Sequence, residues 1–347
     1  MPSPIHFGVI GTGWITDSWI TAAHITKQWQ LAAVYSRTAE TAISFASKHN
    51  CKTTHTSLDS LASDSSITTI YIASPNASHH AQAKQMLQAK KHVVLEKPAT
   101  STLNEFRDLA STAKANNVLL LEAYRHTQET NFKLLHRLLH QDAILGPLQG
   151  ASLTYASYSS RYTPVLQGAN PPPNIFSLEH SGGSLVDIGV YPLAFAAALF
   201  GAPNSQSYAP HICRTGVDAG GLALLHYDNF GVSVNNSKCY NSAQPCEIYG
   251  EKGTLVVNAT ADISSIRFLK VGEKGEGQEL AGPKRSAQKP NVNMEEEAEE
   301  FARILNEGDQ GAAGELEGLS EIVLGITQAL RRENGILFPA DKREMGE

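Results

Sequence analysis

A lysine at the end of an apolar run is the first residue in this sequence whose setting suggests chemistry. Glu96, Lys97 and Pro98 follow directly after the run from His92 to Leu95. In open parallel sheets, ligands bind beside the carboxyl ends of the strands. An ammonium group held there could meet both a cofactor and a substrate, and Pro98 stiffens the turn and allows a cis bond. A surface ion pair followed by a helix-starting proline is the alternative for an isolated tripeptide.

Asp187 and Tyr191 form a second pair of candidates, four positions apart. The stretch from Ser181 runs through Pro192 into an alanine-rich segment that ends at Phe200. Because proline is tolerated only in the first turn of a helix, we expect the regular helix to begin near Gly189. The two side chains then flank its amino terminus and could point into one cleft. The alternatives are a helix cap for the aspartate and a core position for the tyrosine.

These residue types suit hydride transfer at a carbinol carbon. The hydride leaves only as the hydroxyl loses its proton, so a base must lie within hydrogen-bond reach. A tyrosine beside a lysine can serve, because a neighbouring ammonium stabilises the phenolate. We therefore predict that Lys97 and Tyr191 act together and that Asp187 holds another substrate hydroxyl. Tyr124, Arg161 and Tyr162 are weaker candidates for the substrate pocket.

A glycine-rich turn near the amino terminus predicts a dinucleotide site. The apolar run from Ile5 to Ile10 is followed by Gly11, Thr12 and Gly13, and a helical pattern begins near Thr16. The first glycine allows a tight turn, the second lets the backbone approach a pyrophosphate, and the helix amino terminus attracts its charge. Thr16 replaces the usual third glycine or alanine, so helix and strand could lie further apart. The contacts expected along this turn are Gly11, Thr12, Gly13, Trp14 and Ile15.

The end of the next strand indicates which dinucleotide binds. The run from Leu31 to Tyr35 leads into Ser36, Arg37 and Thr38, and no acid appears before Glu40. An NAD site usually places an acid here to hold the ribose 2′-hydroxyl. Arg37 could pair with a 2′-phosphate instead, aided by the two hydroxyls. The sequence therefore favours NADP over NAD, with a solvated loop arginine as the alternative.

The pattern of apolar runs predicts two domains. Strands alternate with helices over the first 120 or so residues, as in a doubly wound parallel sheet. Beyond Tyr124 most strands follow one another with little helix between them, which predicts a mostly antiparallel sheet. We expect an α/β Rossmann domain over residues 1–124 and an α+β domain with a large open sheet over 125–347. An uncovered face of that sheet would drive a homodimer or homotetramer.

Composition narrows the partners and the compartment. The 347 residues are 41% hydrophobic and 18% charged, and the net charge of −6 gives no reason to expect nucleic acid or an anionic membrane as partner. No apolar run approaches the length of a membrane span, and no secretory signal is visible at the amino terminus. The four cysteines show neither a Cys-x-x-Cys pairing nor metal spacing, so we predict no metal site. Free thiols favour the cytoplasm.

Together these motifs resemble the Gfo/Idh/MocA oxidoreductase family, whose pattern covers nearly the whole chain. The resemblance rests on the glycine turn, on Glu96-Lys97-Pro98, on the Gly-Gly…Asp-x-Gly-x-Tyr stretch, and on Ser74, Pro75, Asn76 and His79 after the third buried strand. It implies that Lys97 lies beside nicotinamide and substrate, that Asp187 and Tyr191 contact substrate, and that the strand-end residues, Glu96 included, line the cofactor. Tyrosine at 191 is similar to the glucose-fructose oxidoreductase and dihydrodiol dehydrogenase branches, which favour NADP.

Two other functions share this fold. One is a regulator that binds NADP without turnover, although such a sensor has no chemical need for the Lys97–Tyr191 pair. The other is a redox-neutral enzyme that retains its cofactor. The substrate expected for the oxidoreductase is a sugar, polyol, diol or related carbonyl compound, and the sequence does not name it.

Overall fold

The structure is a computed structural model that describes residues 3–283 and 293–347. The chain divides into two compact units. The first comprises Met1–Ala123 with Val292–Glu321, and the second comprises Tyr124–Asn291 with Ile322–Glu347. This division differs from the expected 1–124 and 125–347 chiefly in a segment near the carboxyl terminus, which joins the first unit.

The first unit alternates strands and helices. Its elements are β1 (Ile5–Ile10), α1 (Trp14–Ile25), β2 (Trp29–Tyr35), α2 (Ala39–Lys48), β3 (Thr53–His55), α3 (Leu58–Ala62), β4 (Thr69–Ile72), α4 (His79–Gln88), β5 (His92–Leu95), α5 (Leu103–Ala115) and β6 (Leu120–Glu122). Within the described residues, the six strands pair in the order β3-β2-β1-β4-β5-β6, and every pairing is parallel. This order is typical of dinucleotide-binding folds, in which the ligand lies where the order reverses, between β1 and β4.

The second unit is built around another sheet. Its elements are α6 (Arg125–Gln128), α7 (Thr130–His140), β7 (Leu148–Ala156), α8 (Tyr162–Leu166), a π-helical turn (Leu185–Gly189), α9 (Val190–Phe200), β8 (Ser205–Ile212), β9 (Asp218–His226), β10 (Gly231–Ser237), β11 (Cys246–Gly250), β12 (Gly253–Val257), β13 (Ile266–Lys270) and β14 (Gln278–Glu279). In the described chain these eight strands pair in the order β14-β13-β12-β11-β7-β10-β9-β8. All neighbours are antiparallel except β7 and β10, which confirms the predicted fold class.

Three helices follow along the chain: α10 (Glu295–Glu307), α11 (Gln310–Glu333) and α12 (Pro339–Met345). The apolar face of α10 explains why its segment joins the first unit. Phe301 is fully buried and lies 6.3 Å from Trp19 between ring centroids, and the indole N–H of Trp29 donates to the carbonyl of Ala298 at 2.9 Å. Nothing in the local sequence of this helix indicates which surface it covers.

One segment contradicts the expectation that no apolar run is long enough to span a membrane. Leu178–Phe200, which contains the π-helical turn and α9, reaches the required length and hydropathy. However, 72% of its apolar window is buried inside the second unit, which is the environment of a core helix.

One face of the second sheet stays open along β9. Ala223 and Leu225 point into the core and are buried, whereas Leu222 and Leu224 alternate with them and are 59% and 41% exposed. Alternation of this kind is expected where one face of an antiparallel sheet packs on helices and the other does not.

Candidate active site

The glycine turn after β1 lies at the point where the strand order reverses. Gly11 has a φ of +110°, and a Cβ built there would lie 2.5 Å from the carbonyl oxygen of Ala73, so only glycine fits. Gly13 precedes the 12-residue helix α1, and no atom of the described chain lies within 4 Å of its would-be Cβ. The turn therefore presents open backbone at a helix amino terminus. This arrangement fits a dinucleotide pyrophosphate.

Thr16, the departure from the glycine fingerprint, is fully buried in α1. Its hydroxyl has no hydrogen-bond partner among the residues that the structure describes. The helix thus accommodates the larger side chain at the expense of one unpaired hydroxyl, which is unfavourable in a buried position.

The register of the first sheet aligns the other predicted cofactor residues at one edge. Ile10 pairs with Tyr35 on one side and with Ile72 on the other, and Ile72 pairs with Leu95. The residues one position further along are therefore neighbours across four strands: Gly11, Ser36, Ala73 and Glu96. The carboxyl edge is thus assembled as parallel pairing requires.

His79 links two of these strand ends. Its Nδ1 lies 3.1 Å from the carbonyl oxygen of Pro98, and its Nε2 lies 2.9 Å from that of Ser74. Burial lowers the pKa of His79, so the ring is held neutral and donates one hydrogen bond at a time. Ser74 also donates from its hydroxyl to Gln82 at 2.7 Å, while Pro75 precedes and Asn76 begins the 3₁₀ turn before α4.

Glu96 and Lys97 have different surroundings. The carboxylate of Glu96 is buried and accepts a hydrogen bond from Tyr71 at 2.7 Å, which ties it into the sheet. Lys97 is half-buried beyond the end of β5, and its bond to Pro98 is cis. Position and exposure make Lys97 the residue of this pair that can reach a ligand.

The residues predicted to contact a 2′-phosphate lie just beyond the end of β2. Arg37 is exposed there, while the hydroxyl of Thr38 caps α2 by accepting from the N–H of Thr41 at 3.4 Å. The cap gives Thr38 a structural role, so Arg37 and Ser36 are the better candidates for a phosphate contact.

In the second unit, a buried aspartate shapes the turn that carries Asp187. The Oδ2 atom of Asp218 accepts from the N–H of Leu185 at 2.7 Å and from the hydroxyl of Tyr208 at 2.8 Å. A Cβ on Gly183 would lie 2.3 Å from the other oxygen of Asp218. Burial raises the pKa of Asp218 to about 6. Asp218 therefore fixes the start of the π-helical turn from inside the core.

Asp187 lies within that turn, and Tyr191 lies in the first turn of α9. The π-helical turn runs directly into α9, and both side chains meet the same region of the second sheet: Tyr191 contacts Tyr155 of β7, and Asp187 contacts Lys238 just beyond the paired strand β10. Asp187 does not cap α9. Its carboxylate instead forms an ion pair with Lys238, which directly follows β10.

Tyr191 is surrounded by polar and aromatic groups of its own unit. The guanidinium carbon of Arg125 lies 5.6 Å from the ring centroid of Tyr191, and the rings of His126 and Tyr155 lie 5.2 and 5.4 Å away. Burial opposes the charge on Arg125, but Tyr191, Glu129 and Asp262 outweigh it and hold the pKa of Arg125 above its usual value. Positive charge is therefore maintained beside the tyrosine.

The weaker pocket candidates divide into buried and exposed. Tyr124 is buried, with its ring 6.1 Å from that of His126. Tyr162 packs in an apolar cluster against Phe176 at 5.4 Å, and packing accounts for it. Arg161 is exposed at the start of α8. Lys97 belongs to the first unit and Tyr191 to the second, and their pairing stays a prediction.

Sequence reasoning missed Arg125, His126, Tyr155 and Lys238. Arg125 could have been found, because it lies three positions beyond the end of β6 and directly after the candidate Tyr124. Lys238 gives a weaker indication, since a lysine just beyond a strand is ordinary on a protein surface.

With this geometry in place, comparison with known proteins identifies the class. The model described as "Oxidoreductase family, NAD-binding Rossmann fold" matches residues 5–124, and the "GFO/IDH/MocA C-terminal domain" matches residues 136–256. The chain belongs to the Gfo/Idh/MocA family and is an NAD(P)-dependent oxidoreductase, as the resemblance in its sequence implied.

Particular relatives cover almost the whole chain. The uncharacterized oxidoreductase YgjR of Escherichia coli is 37% identical over 338 residues, covering 97% of this chain and 98% of the relative. The scyllo-inositol 2-dehydrogenase (NADP(+)) IolU of Bacillus subtilis is 37% identical over 340 residues, covering 97% of this chain and 99% of the relative. The fold is shared with the 3-ketoreductase KijD10 of Actinomadura kijaniata, whose structure was solved with NADP and TDP-benzene. The TM-score is 0.80 at 19% sequence identity, and the match covers 95% of this chain and 97% of KijD10.

Proposed function

We propose that the protein is an NADP-dependent oxidoreductase that transfers a hydride at a carbinol carbon of a polyol, sugar or diol, or at the corresponding carbonyl. The observation that carries this proposal is the placement of Tyr191 beside the Arg125 guanidinium, with Asp187 one turn earlier on the same face. A similar relative named as an NADP-dependent inositol dehydrogenase supports the substrate class and the cofactor.

The side chains of this unit suit the proton transfer. In oxidation, Tyr191 takes the proton of the substrate hydroxyl as the electron pair of the C–H bond leaves with the hydride, and the carbonyl forms. Tyr191 acts in this step as the phenolate, and the Arg125 guanidinium stabilises that negative charge until the proton neutralises it. Asp187 accepts a hydrogen bond from another hydroxyl. In reduction, the same tyrosine returns the proton to the carbonyl oxygen.

The residues at the carboxyl edge of the first sheet would hold the cofactor. The open backbone at Gly13 and the amino terminus of α1 suit the pyrophosphate, and Arg37 with Ser36 suits a 2′-phosphate. When bound, the nicotinamide accepts or returns the hydride. Lys97 would orient the reacting hydroxyl beside it.

A substrate panel tests the proposal. Inositols, aldoses, vicinal diols and dicarbonyls are offered with NADP or NADPH, and nicotinamide absorbance is followed. We expect turnover with at least one polyhydroxylated compound. Binding of NADP without turnover on any of them would instead favour the regulator, and tightly retained NADP with no net change would favour the redox-neutral enzyme.

We also propose that the open face of the second sheet mediates self-association into a closed oligomer. Leu222 and Leu224 expose adjacent apolar side chains on β9, and apolar surface of this kind favours association. Light scattering on the wild type and on Leu222→Asp with Leu224→Asp should show a dimer or tetramer reduced to monomer. A monomeric wild type at micromolar concentration contradicts this.

A further inference from the structure

Asp187 is held by a lysine that neither motif nor spacing indicated. The side chain of Lys238 is 8% exposed, whereas that of Asp187 is 27% exposed. A buried ammonium is unfavourable unless a carboxylate compensates it, and here it contacts Oδ2 of Asp187. The lysine therefore lies mostly behind the carboxylate, and the carboxylate keeps the larger solvent-facing area.

The backbone of Lys238 is fixed on both sides. Its N–H donates to the carbonyl of Ala219 at 2.8 Å, and its carbonyl accepts from the N–H of Ser159 at 2.9 Å. Lys238 thus continues β10 between β9 and the segment that follows β7. An ammonium held by the sheet meets a carboxylate held by the π-helical turn, so the orientation of Asp187 is set by two rigid elements.

The spacing of Asp187 and Tyr191 indicates what that orientation is for. Asp187 and Tyr191 lie on successive turns of one helical segment and contact the same region of the second sheet. If Tyr191 exchanges the proton of the reacting hydroxyl, a second hydroxyl bound by Asp187 belongs to a nearby carbon of the same substrate. Because the Lys238 ammonium compensates its charge, the exposed part of the Asp187 carboxylate can accept that hydroxyl as a charge-assisted hydrogen bond.

We propose that Lys238 is a positioning residue that aims the Asp187 carboxylate at the hydroxyl neighbouring the reacting carbon, so that the site selects vicinal diols over monohydric alcohols. This proposal rests on the proposed function, because it assumes oxidation at a carbinol carbon. It goes further in naming the neighbouring hydroxyl as the group that is recognised and Lys238 as the residue that enforces the choice.

The test compares two probes that differ by one hydroxyl. Values of kcat/KM for trans-cyclohexane-1,2-diol and for cyclohexanol are measured with NADP on the wild type, Lys238→Met and Lys238→Arg. We expect Lys238→Met to lower the diol-to-monool ratio by about 10–100-fold, as loss of a hydrogen bond to a charged group predicts, mostly through KM for the diol. Lys238→Arg, which keeps the charge, should recover part of the ratio.

Lys270→Met is the matched control, because Lys270 forms an exposed ion pair with Glu273 at 3.2 Å in the same unit. It should leave the ratio unchanged. Should Lys238→Met not fold, Lys238→Gln keeps a donor of similar reach and gives the same comparison.

The outcomes separate the two proposals. A wild type that oxidises the diol while Lys238→Met loses activity equally on both probes overturns the role of Lys238 and leaves the oxidoreductase assignment intact. A wild type that is inactive on the probes and on the whole panel overturns the proposed function and this inference together.

Discussion

The cofactor edge of the first unit and the Asp187–Tyr191 site of the second are built by different means. The first is largely backbone: aligned strand ends, a positive φ at position 11 that glycine alone adopts without strain, and an open helix amino terminus. The second consists of charged and aromatic side chains drawn from α6, β7, the π-helical turn and the end of β10. Backbone geometry of this kind can be predicted from short sequence motifs, whereas charge pairing depends on which distant segments the fold brings together.

The largest effects should come from the two residues predicted to take part in proton transfer, Tyr191 of the second unit and Lys97 of the first. Tyr191→Phe and Lys97→Met should each lower kcat by about 10²–10⁴, the usual contribution of general acid–base catalysis, with little change in NADP affinity. The double variant should lose little more than either single one, because residues that act as a unit are not additive.

Tyr227→Phe serves as the control for a lost phenol in the same unit. Its hydroxyl donates to Gly201 at 3.1 Å, and burial raises its pKa to about 12. Near-normal turnover of the true substrate by Tyr191→Phe would contradict the assignment of Tyr191 as the proton-transfer residue.

If backbone geometry builds the cofactor edge, alanine at two glycines of the first unit should affect different properties: stability at position 11 and cofactor affinity at position 13. Gly11→Ala combines a strained φ with a clash against Ala73 and should lower the free energy of unfolding by about 2–5 kcal/mol. Gly13→Ala has space for the methyl group, so thermal unfolding should stay near wild type while NADP affinity falls about tenfold, because the methyl obstructs the pyrophosphate. Scanning calorimetry measures the unfolding of each variant, and titration calorimetry measures its affinity for NADP. Equal effects of the two substitutions on stability would contradict the distinction.

Asp218 should make the second unit less stable as pH rises from about 4 to 6. Its folded pKa of about 6 exceeds the unfolded value of about 3.9, so the native state binds more protons in this window. The stabilisation is complete below the unfolded pKa and is lost as pH passes the folded one, a change on the order of 3 kcal/mol.

Asp218→Asn removes this titration and can keep both hydrogen bonds at the same oxygen. Denaturant unfolding across this pH range should therefore show the variant gaining stability relative to wild type as pH rises. A constant difference between the two proteins would mean that the pKa of Asp218 is the same in the folded and unfolded chains.

The smallest effect concerns the choice of cofactor. NADP should bind the wild type at least about tenfold more tightly than NAD, and Arg37→Ala should remove that preference, since a charge-assisted pair contributes on the order of 1.5–3 kcal/mol. Arg107→Ala is the control, because Arg107 is 56% exposed and pairs with Glu321 within the same unit. Equal affinities of the wild type for the two dinucleotides would refute the assignment of Arg37.

Much of the first unit could be predicted from the sequence because its determinants are local. The run of apolar residues before Gly11, the helix after it and the strand before Glu96 each follow from periodicity within a dozen residues. Parallel pairing then aligns the strand ends without further information. The family resemblance can be recognised from the sequence because several of its motifs lie at the ends of these strands.

The tertiary structure alone decided the partners of the predicted residues. Asp187 could have been a helix cap, and only the pairing of β10 with β7 and β9 brings Lys238 to it. Arg125 reaches Tyr191 across 66 positions of sequence, and α10 returns to Trp19 and Trp29 across more than 260. The periodicity of short sequence segments does not predict such contacts, because they depend on burial and charge compensation between segments that meet only in the folded chain.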